Sequence, residues 1–366
     1  MTITALRLSP PDAAMFHVPP RDDPETVLPP APGSMWSASA FSIPPSLYHG
    51  ALDVRVPITI ASVYAVTAVM LNAYNRSRGN QPWAISKTRA FFCFVVVHNV
   101  VLALYSAWTF LGMVQAARRS VVSPLGAAGL LGMVDSLCKI HGRAGLGNAV
   151  SYNTVDSRWE SYSLQGAVLD AHTGAPNAAN LGRLWNEGLA FYGWLFYVSK
   201  FYEVLDSLII LAKGKRSSTL QTYHHAGAMM CMWCGIRYMS PPIWMFVLVN
   251  SFIHTLMYTY YTLSVLSVPV PVSFKKALTT MQIIQFLFGA SYAATHSFIS
   301  YTLPPKHSSG DGNAQMSCID TTGETFAIWF NVLYLTPLTI LFFRFFIRSY
   351  FRPQKGGKRA SQGKKA

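Results

Sequence analysis

The sequence predicts an all-α, polytopic membrane protein with seven transmembrane helices. Of its 366 residues, 51% are apolar and only 12% are charged, which is more apolar surface than one soluble core would bury. The apolar residues gather into runs of about 20, the length that crosses the hydrocarbon core of a bilayer. Lysine and arginine concentrate in alternate short loops, as they do when helices are inserted with a fixed orientation.

The first 50 residues differ from the rest of the chain. They contain ten of the 22 prolines and no apolar period, so residues 1–50 are expected to form a disordered lumenal tail. Residues 51–352 are expected to form the membrane domain with a long lumenal loop at 115–188, and residues 353–366 a basic cytosolic tail. The seven spans are predicted near residues 56–74, 91–114, 189–211, 218–238, 243–266, 277–300 and 325–347.

Basic residues set the predicted orientation. With a lumenal N-terminus and a cytosolic C-terminus, the cytosolic side receives most of the lysines and arginines, whereas the short lumenal loops hold little more than Arg237 and Lys306. This topology explains most of the net charge of +14. Nucleic-acid binding is not expected, because it would need a basic folded domain that the chain lacks.

The five cysteines are too few for a disulfide scaffold. Cys138 and Cys318 both fall in predicted lumenal loops, where an oxidising compartment permits a disulfide bond between them. Cys231 and Cys234 have the spacing of a CxxC motif, but they lie within an apolar helix and are expected to be packing residues.

Charged residues interrupt the third predicted span. Lys200, Glu203 and Ser207 share one helical face at spacings of three and four, and Asp206 lies one turn beyond Glu203. Charges at this depth are tolerated only when they face the interior of a helix bundle. The spacing alone fits both a buried structural ion network and a catalytic group.

The next three spans each carry a polar stripe. The fourth contains the pair His224 and His225, and the fifth and sixth place amide, imidazole, phenol and hydroxyl groups at spacings of three and four. These fifth- and sixth-span residues are Asn250, His254, Met257, Tyr258, Tyr261, Thr279, Gln282 and Gln285. Because most of them fall in the cytosolic half of the predicted bundle, we expect one water-accessible polar pocket that opens to the cytosol.

The ordered motifs resemble those of the ELO family of very-long-chain fatty acid elongases. They are Lys-x-x-Glu-x-x-Asp-Ser from residue 200, His-His at 224, Asn-x-x-x-His-x-x-Met-Tyr-x-Tyr-Tyr from 250 and Thr-x-x-Gln-x-x-Gln from 279. The resemblance covers about residues 50–352 and includes Asn99, although tyrosine is commoner than His98 before that asparagine. Gln221 replaces the first histidine of the usual His-x-x-His-His, as in a subset of polyunsaturated-fatty-acid elongases, and Ser207 replaces the commoner threonine.

The resemblance implies a very-long-chain 3-oxoacyl-CoA synthase, which condenses a long-chain acyl-CoA with malonyl-CoA and releases CO2 and CoA. It implies no metal and no cofactor beyond these substrates. His224 is expected to accept the acyl group, His225 and His254 to position the thioester or the malonyl carboxylate, and a carboxylate to orient an imidazole. The carboxylate is Glu203 or Asp206, with Lys200 balancing its charge. Substrate binding is expected from Asn99, Gln221, Asn250, Tyr258, Tyr261, Gln282, Gln285, Lys213, Lys215 and Arg216.

The same resemblance implies a home in the endoplasmic reticulum membrane and several partners. These are membrane lipid, a ketoacyl-CoA reductase, a hydroxyacyl-CoA dehydratase, an enoyl-CoA reductase and a second copy of the chain as a homodimer. Gln221 favours C18 to C20 polyunsaturated substrates. The resemblance also implies that spans two to seven form a bundle around an enclosed acyl tunnel and that the first span is peripheral. Residues expected to close this tunnel are Trp194, Phe196, Phe288 or Tyr292.

Two other functions stay open at this point. A di-iron lipid desaturase or hydroxylase also groups histidines at the cytosolic face of a membrane. A non-enzymatic seven-helix receptor or transporter would have the same termini, but it does not require the four ordered motifs.

Overall fold

The computed structural model describes residues 6–21, 43–126, 129–142, 150–153, 155–156, 158–161, 169, 174, 182–303 and 314–351. In this part of the chain the helices are α1 (Pro45–Ala51), α2 (Arg55–Ser77), α3 (Arg89–Ser120), α4 (Gly129–Cys138), α5 (Ala190–Tyr202), α6 (Leu205–Ala212), α7 (Thr219–Arg237), α8 (Ile243–Val265), α9 (Val272–His296) and α10 (Thr322–Tyr350). The strands are β1 (Leu6–Leu8), β2 (Val150–Asn153), β3 (Arg158–Ser161), β4 (Ile299–Leu303) and β5 (Ala314–Ser317).

Six helices form a closed ring, and α2 lies outside it. Around the ring, α3 packs against α8, α8 against α9, α9 against α10, α10 against α7 and α7 against α5, which returns to α3 and α8. Helix α2 packs mainly against α7 and α6. This is the predicted arrangement, in which the second to seventh apolar segments enclose a space and the first is peripheral.

Four helices in the described part of the chain are long and apolar enough to cross a bilayer: α2, α3, α8 and α10. Helices α7 and α9 have 19 and 25 residues, but their inward faces carry histidine and amide side chains that lower their apolar character. The protein is therefore a polytopic membrane protein, and the full count of seven spans stays a prediction.

The third apolar segment is a broken helix rather than the continuous one that the sequence predicts. Helix α5 ends at Tyr202 and α6 begins at Leu205. Between them, the backbone N–H of Asp206 donates to the carbonyl of Glu203 at 3.1 Å and that of Ser207 to the carbonyl of Val204 at 3.1 Å. These bonds span three residues instead of four, so the backbone tightens locally where the charged side chains project into the bundle.

Side-chain caps fix where two of the ring helices begin. At α10, Thr321 accepts a bond from the N–H of Glu324 at 3.1 Å while the Glu324 carboxylate accepts from the N–H of Thr321 at 3.0 Å. At α7, the Ser218 hydroxyl accepts from the N–H of Gln221 at 3.2 Å. This second cap sets the rotation of α7 and places His224 one turn after Gln221 on the same face.

One end of the bundle carries a small capping structure, here called the cap, made of β1, β4, β5 and α4. Strand β4 pairs antiparallel with both β1 and β5, and a disulfide bond joins Cys138 on α4 to Cys318 after β5. That disulfide is the pairing that the sequence predicts. Cys231 and Cys234 are both buried on α7, as expected of packing residues.

Part of the N-terminal segment departs from the predicted disordered tail. Residues 6–8 form β1, the N–H of Ser9 donates to the carbonyl of Phe298 at 2.8 Å, and the N–H of Arg21 donates to the hydroxyl of Thr322 at 2.9 Å. Backbone pairing to a distant strand holds this segment, and composition carries no signal for such pairing. The predicted basic tail at 353–366 lies outside the described residues.

Candidate active site

A cavity of about 640 Å³ lies inside the ring at the end opposite the cap. We call this end the mouth, and it is formed where α6, α8 and α10 end and α7 and α9 begin. The volume is in the range of small-molecule binding sites. Most of the predicted site residues line it, namely Asn99, Glu203, Asp206, Lys213, Gln221, His224, His225, Asn250, His254, Tyr258, Tyr261, Gln282 and Gln285.

Three predicted site residues do not line this cavity among the described residues. Lys200 lies deeper and borders a second cavity of about 40 Å³. Lys215 and Arg216 are exposed to solvent and follow Gly214, whose positive φ of 70° turns the chain after α6 ends. Neither of these two side chains borders the cavity, whereas Lys213, which directly follows α6, and Lys275, on α9, do.

Asp206 joins three helices at the wall of the cavity. Its Oδ1 lies 2.9 Å from Nε2 of His98 on α3, and its Oδ2 accepts a hydrogen bond of 2.7 Å from the hydroxyl of Tyr258 on α8. The other nitrogen of His98, Nδ1, lies 3.1 Å from the hydroxyl of Tyr202. The imidazole that Asp206 orients is thus that of His98 and not that of His224.

The Glu203 carboxylate forms a buried ion pair with Lys200. The Lys200 ammonium donates to Oε1 of Glu203 at 2.6 Å, the Ser199 hydroxyl donates to the same oxygen at 3.2 Å, and both charged side chains are buried. The nearest imidazole nitrogen, Nδ1 of His254, is 3.9 Å away. Of the two interpretations of this motif, the geometry favours a buried ion pair for Lys200 and Glu203, and a cavity-facing group for Asp206.

His224 is held by α10 rather than by a carboxylate. Its Nδ1 lies 2.9 Å from the hydroxyl of Tyr334. Its ring is 5.6 Å from that of His225, whose other ring contact is the edge of Tyr64 on α2 at 6.0 Å. The carboxylate expected to orient an imidazole is therefore Asp206, and the ring it contacts is that of His98, whereas His224 contacts a phenol.

Tyr334 and the role of His98 were missed by sequence reasoning. Tyr334 follows Asn331 by three residues in α10, so the two polar residues share a face, and both border the 40 Å³ cavity. That spacing is a weak signal of an inward face. His98 was interpreted only as the neighbour of Asn99, although a histidine in the middle of an apolar span requires a partner.

Amide groups complete the polar lining. Gln285 is buried and its Oε1 has no hydrogen-bond partner among the described residues. Gln282 makes one weak contact, from its Nε2 to the sulfur of Met257 at 3.6 Å. Asn250 borders both cavities. Because an unpaired buried amide costs free energy, these groups are suited to bind a polar ligand that enters the cavity.

The bulky residues expected to close an acyl tunnel lie in different places. Phe196 borders the 40 Å³ cavity. Trp194 donates to the carbonyl of Tyr48 at 3.1 Å, and Tyr292 accepts from Trp244 at 3.2 Å. Phe288 is 57% exposed on the outside of α9, so it does not face the interior of the bundle.

No group of three or more His, Cys, Asp or Glu side chains in the described part of the chain is arranged to hold a metal ion. Among the described residues, the rings of His98, His224 and His296 are each held by hydrogen bonds to protein groups.

Comparison with known proteins gives one family over most of the chain. Residues 51–358 match the family described as ELO: GNS1/SUR4. Very long chain fatty acid elongase 3 of Homo sapiens is 30% identical over 177 residues, which is 48% of this chain and 60% of that protein. Fatty acid elongase sre1 of Dictyostelium discoideum is 38% identical over 104 residues, 28% of this chain and 38% of that protein. Very long chain fatty acid elongase 2 of Rattus norvegicus is 32% identical over 167 residues, 43% of this chain and 50% of that protein. Each alignment spans less than two thirds of the relative's length.

Proposed function

Because the chain belongs to the GNS1/SUR4 (ELO) family, we propose that it is a condensing enzyme of fatty acid elongation, a very-long-chain 3-oxoacyl-CoA synthase. It joins a long-chain acyl-CoA to malonyl-CoA and releases CO2 and CoA. The observation that carries the proposal is the single 640 Å³ cavity, in which the motif residues of α6, α7, α8 and α9 meet.

The proposed reaction has two steps. First, Nε2 of His224 attacks the acyl thioester carbon, a C–N bond forms, the C–S bond breaks, and the CoA thiolate leaves and takes up a proton from water, while the acylated ring keeps its Nδ1 hydrogen and a positive charge. Second, malonyl-CoA loses CO2, and the electron pair left on its α-carbon attacks the acyl carbon. A C–C bond forms, the C–N bond breaks, and the imidazole of His224 is restored.

The other polar groups have supporting roles in this proposal. His225 and His254 position the thioester or the malonyl carboxylate. Asn250, Tyr261 and Gln282 donate hydrogen bonds to the negative charge that develops on oxygen, where each donor typically contributes about 3 kcal/mol. The unpaired Oε1 of Gln285 can accept from the amide N–H groups of the pantetheine arm.

Lys213 and Lys275 are proposed to meet the CoA phosphates. Both border the cavity at the mouth, where the water-soluble part of the substrate must remain. The acyl tail extends the opposite way, from His224 toward the apolar side chains around the second cavity, such as Met232 and Leu335. At about 40 Å³ that cavity cannot hold an acyl tail, so side chains must move when substrate enters.

Gln221 is proposed to tune substrate choice toward C18 to C20 polyunsaturated acyl-CoA. It borders the cavity one turn before His224. An amide can orient a partner by hydrogen bonds, but it cannot exchange a proton as the usual histidine can.

The setting proposed is the endoplasmic reticulum membrane, with seven spans, a lumenal N-terminus and a cytosolic mouth. Exposed apolar side chains on α2 and α3, such as Val69 and Leu104, would then contact lipid. A 3-ketoacyl-CoA product must next be reduced, dehydrated and reduced again, so a ketoacyl-CoA reductase, a hydroxyacyl-CoA dehydratase and an enoyl-CoA reductase are the proposed partners, and a homodimer the proposed assembly.

The test is radiolabelled malonyl-CoA incorporation by the purified protein, supplied in turn with saturated, monounsaturated and polyunsaturated acyl-CoA. We expect a 3-ketoacyl-CoA product, largest with the polyunsaturated acids, and its loss in His224→Ala. The matched control is His296→Ala, a buried histidine that does not border the cavity and that bonds the carbonyl of Tyr292 at 2.8 Å.

Folded protein that incorporates no malonyl carbon with any acyl-CoA would reject the proposal and favour the receptor or transporter. Stoichiometric iron together with oxygen-dependent desaturation would favour the di-iron alternative.

A further inference from the structure

Tyr334 contacts both the ring and the backbone of His224. Its hydroxyl oxygen lies 2.9 Å from Nδ1 of His224 and 3.0 Å from the carbonyl oxygen of the same residue. One phenol on α10 therefore holds the residue proposed as the acyl acceptor at two points. The residues of the family motifs do not include Tyr334.

Both contacts can be hydrogen bonds at once with only one placement of the hydrogens. A carbonyl oxygen only accepts, so the single phenolic hydrogen of Tyr334 is donated to the carbonyl of His224. The phenolic oxygen is then left as an acceptor toward the ring, and Nδ1 of His224 must carry the hydrogen that fills that bond. In a neutral imidazole, a hydrogen on Nδ1 leaves Nε2 with a free electron pair.

No described residue hydrogen-bonds to Nε2 of His224. The side chain also borders both the 640 Å³ cavity and the smaller one behind it. The unprotonated nitrogen is thus the one without a protein partner, which is the arrangement a nucleophile needs.

The packing around Tyr334 is specific to its ring. A Cβ atom placed on Gly227, one turn after His224, would lie 2.1 Å from the Tyr334 ring, so only glycine allows the ring to lie this close to α7. The hydroxyl of Tyr223 also donates to the backbone carbonyl of Tyr334 at 3.1 Å. Tyr334 is therefore held against α7 by contacts other than those with the imidazole.

We infer that Tyr334 is a positioning residue that fixes the Nδ1–H tautomer of His224 and leaves Nε2 free to attack the acyl thioester. The inference rests on the proposed function for its consequence, but the tautomer itself is a property of the resting protein. After Nε2 is acylated, the ring still carries the Nδ1 hydrogen and a positive charge, and the Tyr334 oxygen remains its acceptor. The same hydrogen bond then strengthens, because one partner is charged.

The variant that tests this is Tyr334→Phe, which keeps the ring against Gly227 and removes the hydroxyl. The first readout is the nitrogen-15 NMR spectrum of protein labelled at histidine, in which the His224 signals are identified by their loss in His224→Gln. We expect the wild type to have a protonated Nδ1 and an unprotonated Nε2, and Tyr334→Phe to shift toward the other tautomer.

The second readout is kinetic. We expect kcat to fall about 10- to 100-fold in Tyr334→Phe, the rate equivalent of one hydrogen bond to a charged group, with KM for malonyl-CoA unchanged. The matched control is Tyr197→Phe, which removes another buried hydroxyl that donates to a backbone carbonyl, that of Ala51 at 2.7 Å, away from the cavity. This control should leave the His224 signals and kcat as in the wild type.

Each outcome has one meaning. A wild-type spectrum with the proton on Nε2 overturns the inference without need of any variant, as does a Tyr334→Phe spectrum identical to the wild type. A tautomer shift in protein that makes no 3-ketoacyl-CoA supports the positioning role and rejects the proposed function. If the wild type makes 3-ketoacyl-CoA but the spectrum of Tyr334→Phe equals that of the wild type, the positioning role is rejected and the proposed function is supported.

Discussion

Asp206, near the mouth of the bundle, and Asp135, in the cap, have similar tyrosine partners but different second partners and different exposure. Each accepts a hydrogen bond of 2.7 Å from a tyrosine, Tyr258 for Asp206 and Tyr301 for Asp135. The second partner differs: Asp206 pairs with His98 at 2.9 Å, whereas Asp135 pairs with Arg183 at 3.2 Å. The Asp206 side chain is 15% exposed beside the cavity, and that of Asp135 is 2% exposed.

We therefore expect Asp206 to contribute to turnover and Asp135 to contribute to the stability of the fold. Arginine keeps its charge at every accessible pH, so Asp135 has a permanent counter-charge in a closed site. Burial, followed by the effect of the Asp135 carboxylate, raises the pKa of Tyr301 above its ordinary value, so that phenol keeps its hydrogen and remains a donor. His98 is instead an imidazole that Asp206 contacts on one ring nitrogen and Tyr202 on the other, so Asp206 holds an oriented ring beside the wall of the cavity. Of the two aspartates, Asp206 borders the cavity and Asp135 does not, which is why we expect Asp206 to affect turnover and Asp135 to affect stability.

The largest effect is expected for Asp206→Asn. The amide keeps the size of the carboxylate but removes the charge that orients His98 and accepts from Tyr258. We expect the turnover per folded molecule to fall between about 10³- and 10⁴-fold, as for other carboxylates that orient an imidazole. Malonyl-CoA incorporation measures this, and turnover within a few-fold of the wild type would place Asp206 among the structural residues.

The matched change in the cap is Asp135→Asn. It removes the negative charge that faces the buried Arg183 guanidinium at 3.2 Å, so we expect the free energy of unfolding to fall by about 3 to 5 kcal/mol. Turnover per folded molecule should stay that of the wild type, because the pair does not border the cavity. Thermal unfolding in detergent, measured beside the incorporation assay, separates the two effects. If Asp135→Asn lost as much turnover as Asp206→Asn, the claim that Asp135 affects only stability would be wrong.

The disulfide of the cap gives a similar but smaller effect. Replacing Cys138 and Cys318 together by serine releases the link between α4 and the segment after β5, which we expect to cost about 2 to 5 kcal/mol of stability. Cys93→Ser, at an exposed free thiol, is the control and should change neither stability nor turnover. Equal thermal stability of the double variant and the wild type would show that the cap does not depend on this bond.

The smallest effect is expected at the mouth. Lys213→Ala removes a cation that borders the cavity, and we expect KM for acyl-CoA to rise about two- to fivefold with kcat unchanged. Lys215→Ala, two residues later on an exposed side chain, should leave KM unchanged. Equal effects of both substitutions would mean that the cavity border does not mark the path of the CoA phosphates.

The sequence predicts the features that depend on local patterns. Apolar length and helical spacing located the bundle helices, and the cost of burying polar groups in a membrane predicted that His224, His254 and Gln282 share one cavity. The break between α5 and α6 was missed, because no glycine or proline marks it in the sequence.

Long-range partners were beyond sequence reasoning for a physical reason. His98 and Asp206 are 108 residues apart, and Tyr334 lies 110 residues from His224, so neither pair leaves a periodic signal. The three-residue strand β1 is too short to show the alternation that marks a strand. The exposed position of Phe288 likewise depends on how α9 is rotated in the ring.

The most direct measurement is to trap the acyl group. Purified protein is incubated with acyl-CoA in the absence of malonyl-CoA, quenched in acid and analysed by peptide mass spectrometry, with Cys231→Ser as a companion variant because this thiol borders the second cavity with His224. We expect the acyl mass on the His224 peptide in both proteins, discharged as 3-ketoacyl-CoA when malonyl-CoA is added. An acyl group on Cys231, or full condensation with no acyl adduct on His224, would contradict the imidazole as the acyl carrier.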